Sequence, residues 1–204
     1  MRIVVATRNP GKLREIREGL KGLDVELLSL ADFPNAPEVI EDGESFAANA
    51  IKKARALSAS TGLPALADDS GLEVDALAGA PGVRSARFAG EGADDAENNR
   101  KLLALLQNVP PAQRGARFVC VLALAWPEGK VEIMEATAEG RILERARGDR
   151  GFGYDPIFFS PELGATFSEV DAPTKLRVSH RGKALQQFRA FIQARFSGKD
   201  HEGR

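Results

Sequence analysis

The stretch Arg2-Ile3-Val4-Val5-Ala6-Thr7-Arg8-Asn9-Pro10-Gly11-Lys12, continuing to Leu20, decides the fold class. Ile3 to Ala6 is a short apolar run, the pattern of a buried strand. Thr7 to Gly11 breaks that pattern with turn-forming residues. From Lys12 the apolar positions Leu13, Ile16 and Leu20 recur at helical spacing, and Arg14, Glu15, Arg17 and Glu18 mark a face expected in water. A buried strand that turns straight into a helix opens an α/β chain. Val25 to Leu30 is a second strand candidate, followed by an acidic, proline-bearing loop through Glu38, Glu41 and Asp42. Phe46 to Ser60 is alanine-rich and helical, with Gly62 as its stop. Leu63 to Ala67 is a short apolar strand expected to give way to a turn at Asp68-Asp69-Ser70-Gly71.

Further along, Ala80 to Gly90 reads as an irregular loop, and Asp94 to Leu106 as a helix whose first acidic residues suit its dipole. Arg117 to Trp126 and Lys130 to Glu139 predict two long strands joined as a hairpin by Pro127-Glu128-Gly129. Gly148 to Gly153 must be a loop, and Pro156 to Phe159 is a short apolar segment. Ser179 is expected to cap a last helix whose core face carries Leu185, Phe188, Ile192 and Phe196. The pattern is mixed α/β, with an antiparallel hairpin beside strand–helix alternation. One domain over residues 1–196 is expected, with a polar tail at 197–204 that frays.

Composition limits the function classes. The chain has 204 residues, with hydrophobic residues at 43% and charged residues at 28%, enough for a core of normal size. A net charge of −1 provides no global field for nucleic acid or an anionic membrane, so an anionic ligand must be met by a local basic site. The single cysteine, Cys120, lies in an apolar run and reads as a buried, inert thiol. Two histidines and one cysteine cannot build a four-ligand zinc site of the usual type. The first residues show no signal-peptide pattern and no run has the length of a membrane span, so cytoplasmic residence is the expectation.

Four groups of residues could carry chemistry. Thr7-Arg8-Asn9-Pro10-Gly11-Lys12 joins a strand to a helix, where backbone N–H groups and the helix dipole converge, and Lys12 adds a full charge; the set suits phosphate. It is not a Walker A loop, because the glycine spacing differs and Leu13 follows the lysine. Asp68 and Asp69, with Glu41 and Glu44 upstream, form an acidic set. Neighbours on an extended strand point to opposite faces, so the two aspartates could serve one site only if the strand ended there. Carboxylates brought close need a cation, and Mg2+ is the natural one for oxygen ligands beside phosphates. Gly151-Phe152-Gly153-Tyr154-Asp155-Pro156 offers an aromatic face for stacking on a base and a close-approaching backbone. Lys175 and Ser179-His180-Arg181-Gly182-Lys183 form the fourth group, in which two basic residues oppose the dipole of the last helix and so hint at a task other than stability.

Together these make a phosphate cradle, a magnesium site and a base pocket, the parts of a nucleotide hydrolase. The chain resembles the inosine triphosphate pyrophosphatase family, the Ham1-like enzymes of non-standard purine nucleotides. The resemblance is carried by Thr7-x-Asn9-x-Gly11-Lys12, Ser45-Phe46-x-x-Asn49-Ala50-x-x-Lys53-Ala54, Ala67-Asp68-Asp69-Ser70-Gly71-Leu72, Ala80-Pro81-Gly82 with Ser85-Ala86-Arg87, Gly151 to Pro156, and Ser179-His180-Arg181-Gly182. It implies hydrolysis of ITP, dITP and XTP to monophosphate and pyrophosphate, on an elongated mixed sheet flanked by helices, in two lobes with the cleft between them, as a homodimer. It implies Asp69 as general base and, with Glu41 and Asp68, as a magnesium ligand. Thr7, Arg8, Asn9, Pro10, Gly11 and Lys12 would hold the triphosphate with Lys53 and Lys175 nearby, and Ser70 would touch the substrate. Phe152 would stack on the base, while Gly153, Tyr154, Asp155, His180 and Arg181 would meet its edge. Two alternatives keep some of these features. A Maf-type pyrophosphatase opens on a different, Ser/Pro/Arg-rich loop, and a non-catalytic nucleotide sensor has no need of Glu41, Asp68 and Asp69 together.

Overall fold

The structure, a computed structural model, describes residues 1–196. The expected fraying of 197–204 and the core position of the Phe196 side chain lie outside what is described. Strand β1 (Arg2–Ala6) leads into helix α1 (Pro10–Gly19). The helix begins two residues before the expected Lys12. Asn9 is its N-cap, accepting the Lys12 N–H at 3.0 Å, and Pro10 sits in the first turn, where its missing N–H costs nothing. β2 (Glu26–Leu28) is shorter than the expected Val25–Leu30, because a short 3-10 turn starts at Leu30. Helix α2 (Phe46–Thr61) ends at Gly62, whose φ of 66° is the left-handed conformation that glycine adopts freely.

The acidic turn expected at Asp68 is absent. β3 runs from Ala65 to Val74 without interruption. Asp68 pairs with Leu122, Asp69 with Val121, Ser70 with Cys120 and Gly71 with Val119 on the neighbouring β4 (Gly115–Ala125). The long apolar partner strand outweighs the local turn preference of Asp-Asp-Ser-Gly, since strand propensity follows tertiary context. The remaining elements are α3 (Asp95–Leu105), β5 (Val131–Ile142), β6 (Phe158–Ser160), β7 (Ala165–Thr166), α4 (Ala172–Val178) and α5 (His180–Phe196). β7 and α4 were not read from the sequence, and the loop expected at 80–90 contains a 3-10 helix, Gly82–Arg87. Ser179 caps α5 as expected, its Oγ accepting the Gly182 N–H at 3.1 Å.

The seven strands form one mixed sheet in the order β2-β1-β3-β4-β5-β6-β7. β2, β1 and β3 are parallel; β3 through β7 are antiparallel, with β4 and β5 as the expected hairpin. Alternation sorts the residues of β3 and β4. Leu66, Cys120, Leu122 and Leu124 face one side and pack on Ile16 of α1 and Leu185, Phe188 and Ile192 of α5. Ala67, Val119, Val121 and Ala123 face the other side and pack on Phe46, Ala50 and Ala54 of α2. Further along the first face, Leu72, Phe118, Phe158 and Phe167 form a second lobe with Leu102 and Leu106 from α3 and the residue after it. A cleft lies between the two lobes. Its position follows from register. β1 pairs with β3 only as far as Ala6↔Ala67, so the β1 side of β3 is open from Asp68 until the bridge of Glu73 with Pro81. Crevices at the carboxyl ends of parallel strands are where α/β sheets bind ligands.

Candidate functional site

Because β3 continues, Asp68 and Asp69 point to opposite faces of the sheet, and the open edge lets both border the cleft. Asp68 is on the α1/α5 face. Its carboxylate receives Arg181 Nε at 2.8 Å, Lys12 Nζ at 2.6 Å and Ser70 Oγ at 2.8 Å, with the Cys120 thiol 3.3 Å away. Ser70 reaches it because residues two apart on a strand share a face. Burial pushes the Asp68 carboxyl up, but Arg181 and Lys12 outweigh it and hold the group well below the usual range. Cys120 is buried as expected, and burial together with Asp68 drives its thiol well above the ordinary value.

Asp69 is on the α2 face. Lys53 Nζ bridges it at 3.0 Å to Glu41 at 2.9 Å and also donates to the Asp68 carbonyl at 2.8 Å. Asn49 Nδ2 lies 3.3 Å from Asp69. Desolvation raises the Asp69 carboxyl despite Lys53 and Lys12, and the nearby Glu41 charge adds to the rise. Glu41 is pushed up by burial and pulled further down by Lys53, so it stays ionised. The expected set of Glu41, Asp68 and Asp69 therefore divides. Glu41 and Asp69 share one ammonium, while Asp68 is committed to Arg181, Lys12 and Ser70. Glu44 stays outside, lining a groove on another part of the surface. Among the described residues no three His, Cys, Asp or Glu side chains converge as a metal cage. Two carboxylates facing an open cavity still fit magnesium, which commonly uses one or two carboxylates together with substrate phosphates.

A third buried network completes the floor. Glu15, expected on the solvated face of α1, is 4% exposed and receives Arg181 Nη1 at 2.5 Å and Lys175 Nζ at 2.8 Å. Arg14, Arg17 and Glu18, expected on the same face, are exposed; Glu15 turns in because α4 and α5 bring two cations against it. Lys175 also meets Asp155 Oδ2 at 2.5 Å, and burial raises the Asp155 carboxyl in spite of that lysine. Each nitrogen of the Arg181 guanidinium already has an acceptor: Nε on Asp68, Nη1 on Glu15, Nη2 on Ser70 at 2.7 Å. Expected at the base edge, Arg181 lines the cavity beside Phe152 and also holds the site together.

The cleft resolves into two adjoining cavities. One, of about 300 Å³, is lined by Thr7, Arg8, Asn9, Lys12, Glu41, Lys53, Asp68 and Asp69. The other, of about 100 Å³, is lined by Phe152, Gly153, Tyr154, Asp155, Lys175 and His180, with Phe118. Asn9, Lys12, Ser70 and Ala86 border both. In the small cavity His180 stacks on Phe118 with centroids 4.5 Å apart, and its buried Nδ1 has no hydrogen-bond partner among the described residues. Burial, then Arg181 and Lys175, hold the imidazole well below its ordinary value and so neutral. The Phe152 loop is tied in three ways. Asp155 Oδ2 accepts the Phe152 N–H at 2.9 Å, Asp95 Oδ2 accepts the Gly153 N–H at 2.7 Å, and Asn99 donates to the Gly153 carbonyl at 2.9 Å. Tyr154 donates its hydroxyl to the Ser85 carbonyl at 2.8 Å. Asp95, Asn98, Asn99, Phe118 and Glu15 were not singled out in the sequence as site residues, and Ser85 entered only as part of a family motif. Acidic residues opening α3 were explained by the helix dipole alone, and nothing local distinguishes a buried Glu15 from Glu18.

A basic, carboxylate-edged cavity opening onto an aromatic one defines an α/β protein built to take a nucleotide by both its phosphates and its base. The chain belongs to the Ham1 family, whose model matches residues 3–191. It is 55% identical over 187 residues to the dITP/XTP pyrophosphatase of Desulforamulus reducens, covering 92% of this chain and 93% of that one. It is 57% identical over 184 residues to the dITP/XTP pyrophosphatase of Geobacter sulfurreducens, covering 90% and 92%. Among solved structures, a HAM1 protein from Coxiella burnetii superposes with a TM-score of 0.87 at 42% identity, covering 95% of this chain and 99% of that one. The Staphylococcus aureus Ham1 protein does so at 0.85 with 36% identity, covering 96% and 100%.

Proposed function

We propose that this chain hydrolyses deaminated purine nucleoside triphosphates, dITP, ITP and XTP, to the monophosphate and pyrophosphate, and so clears them from the nucleotide pool. The observation that carries the reading is the pair of cavities meeting at Lys12 and Ser70, one suited to phosphates and one to a base. The relatives' names, dITP/XTP pyrophosphatase, support the same substrates.

Within the site, the first turn of α1 and Lys12 receive the triphosphate, where backbone donors and a cation meet anionic oxygens. Asp69, raised by burial, takes the proton of the attacking water. Glu41 and Asp69 are the residues that would hold magnesium; when bound, the ion offsets charge on the phosphates. Lys53 keeps those two carboxylates together without it. Asp68 carries a different task from the metal ligation expected of it: it fixes Lys12 and Arg181 at the junction of the cavities. Neutral His180 and the backbone of the Phe152 loop face the base. A polar cavity built for a 6-keto purine leaves its groups unpaired against adenine, which gives strong rejection.

The proposal includes one catalytic unit over residues 1–196 and cytoplasmic residence, and a homodimer that the motif likeness supports. No described helix is long and apolar enough to cross a membrane. The test is pyrophosphate release from dITP, ITP and XTP, against ATP and GTP, with and without magnesium. Release from the deaminated substrates that depends on the divalent ion is expected. No release from any of them would sink the reading, and would leave the nucleotide-sensor alternative.

A further inference from the structure

Gly11 stands in the first turn of α1, in ordinary helical conformation, so no positive φ demands a glycine there. A glycine in a helix costs about 0.5–1 kcal/mol relative to alanine. The reason for it lies across the cleft. A side-chain carbon placed on Gly11 would lie 2.6 Å from Phe152 Cδ1, 2.8 Å from Cε1 and 2.9 Å from Cγ. These are distances at which the ring has to move. The Phe152 ring therefore rests directly on the Gly11 backbone. The loop backbone beneath the ring is held, the Phe152 N–H by Asp155 and the next residue by Asp95 and Asn99, so a side chain on Gly11 has to be met by rotation of the ring. The same ring lines the base cavity, with Lys175 Nζ 4.7 Å from its centroid.

We infer that Gly11 is a positioning residue for base recognition: its missing side chain sets how deep the Phe152 ring sits, and hence the room left for a purine in a cavity of about 100 Å³. This rests on the proposed nucleotide substrate and adds a second role to a residue expected only to cradle phosphate. The two roles separate, because alanine keeps the backbone N–H that a phosphate would use and adds only the carbon that meets the ring.

The test is Gly11→Ala, alone and combined with Phe152→Ala. Displacing a recognition group by about an ångström can cost a hundredfold. For Gly11→Ala we expect KM for dITP to rise about tenfold or more, with kcat changed less. In the Phe152→Ala background the same substitution should have little further effect, because the Cγ and ring atoms it strikes are gone. Equal KM for the single variant and the parent, or an equal penalty with and without Phe152, overturns the inference. Loss of folding in both backgrounds does so too, since that would make Gly11 structural. If the parent protein cleaves no nucleoside triphosphate, the functional reading fails by itself. A crystal structure of Gly11→Ala then decides the inference on geometry: an unmoved Phe152 ring refutes it, and a ring displaced toward the cavity sustains it.

Discussion

Asp68 and Asp69 are neighbours in the chain with opposite electrostatic fates. Burial raises Asp69, whereas Arg181 and Lys12 depress Asp68 against the same burial. Their substitutions should therefore fail differently. Asp69→Asn should lower kcat by roughly 10²–10⁴-fold, the usual contribution of a general base, while leaving urea unfolding nearly unchanged. Near-normal turnover in that variant removes Asp69 from the base role. Asp68→Asn leaves the buried Arg181 and Lys12 short of their counter-ion, and a broken buried pair costs about 3–5 kcal/mol. A shift of that order in the urea midpoint is expected, and an unshifted midpoint contradicts the structural role. Asp68 is depressed in the fold, so its stabilisation is present above the unfolded carboxyl value of 3.8 and is lost as pH falls through the lower folded value. His180 acts on a nearer range. Its folded value is depressed well below 6.5, so the unfolded chain binds the proton first. Stability should then fall as pH drops below about 6.5, by at most about 1.4 kcal/mol per unit from this group. His180→Phe should flatten that slope in unfolding measured from pH 7 to 5; an unchanged slope would assign it elsewhere.

At the scale of elements, the sequence was most legible where periodicity and packing agree. The β4–β5 hairpin, α2 with its glycine stop and the Ser179 cap all stand where the pattern put them. It misled where local and tertiary preferences conflict. Asp68 to Gly71 has the composition of a turn, yet ten consecutive ladder pairs with β4 hold it as strand. Short β7 and α4 carry too few residues to show a period. The candidate site was legible as residue types, because the phosphate loop, the aromatic loop and the cations each have a local signature. Its wiring was not legible: the inward turn of Glu15 and the three partners of Arg181 depend on α4 and α5 packing against α1 and β3. The contribution of α3 was hidden likewise, and it can be tested. Asp95→Ala frees the Gly153 N–H from a charge-assisted bond, a contact worth about 1.5–3 kcal/mol. KM for dITP should rise about tenfold, with a smaller change in kcat. A fall in kcat at constant KM would place Asp95 in the chemistry and not in the seating of the base loop.

At the scale of the whole molecule, the ion pairs of the site join distant parts of the chain. Arg181 meets Asp68 across 113 positions and Glu15 across 166. Contacts so far apart are closed late, because the intervening chain must first be ordered. During synthesis the segments of β1, α1 and β3 emerge carrying Glu15 and Asp68 but without the guanidinium that neutralises them. A nascent chain that stops short of α5 carries those charges uncompensated in what should become its interior. The sheet can begin to form from the N-terminal side, but the cleft cannot close until the last helix docks. Competence to act on a nucleotide is thereby tied to completion of the polypeptide, and a chain truncated before Arg181 is released without a working centre.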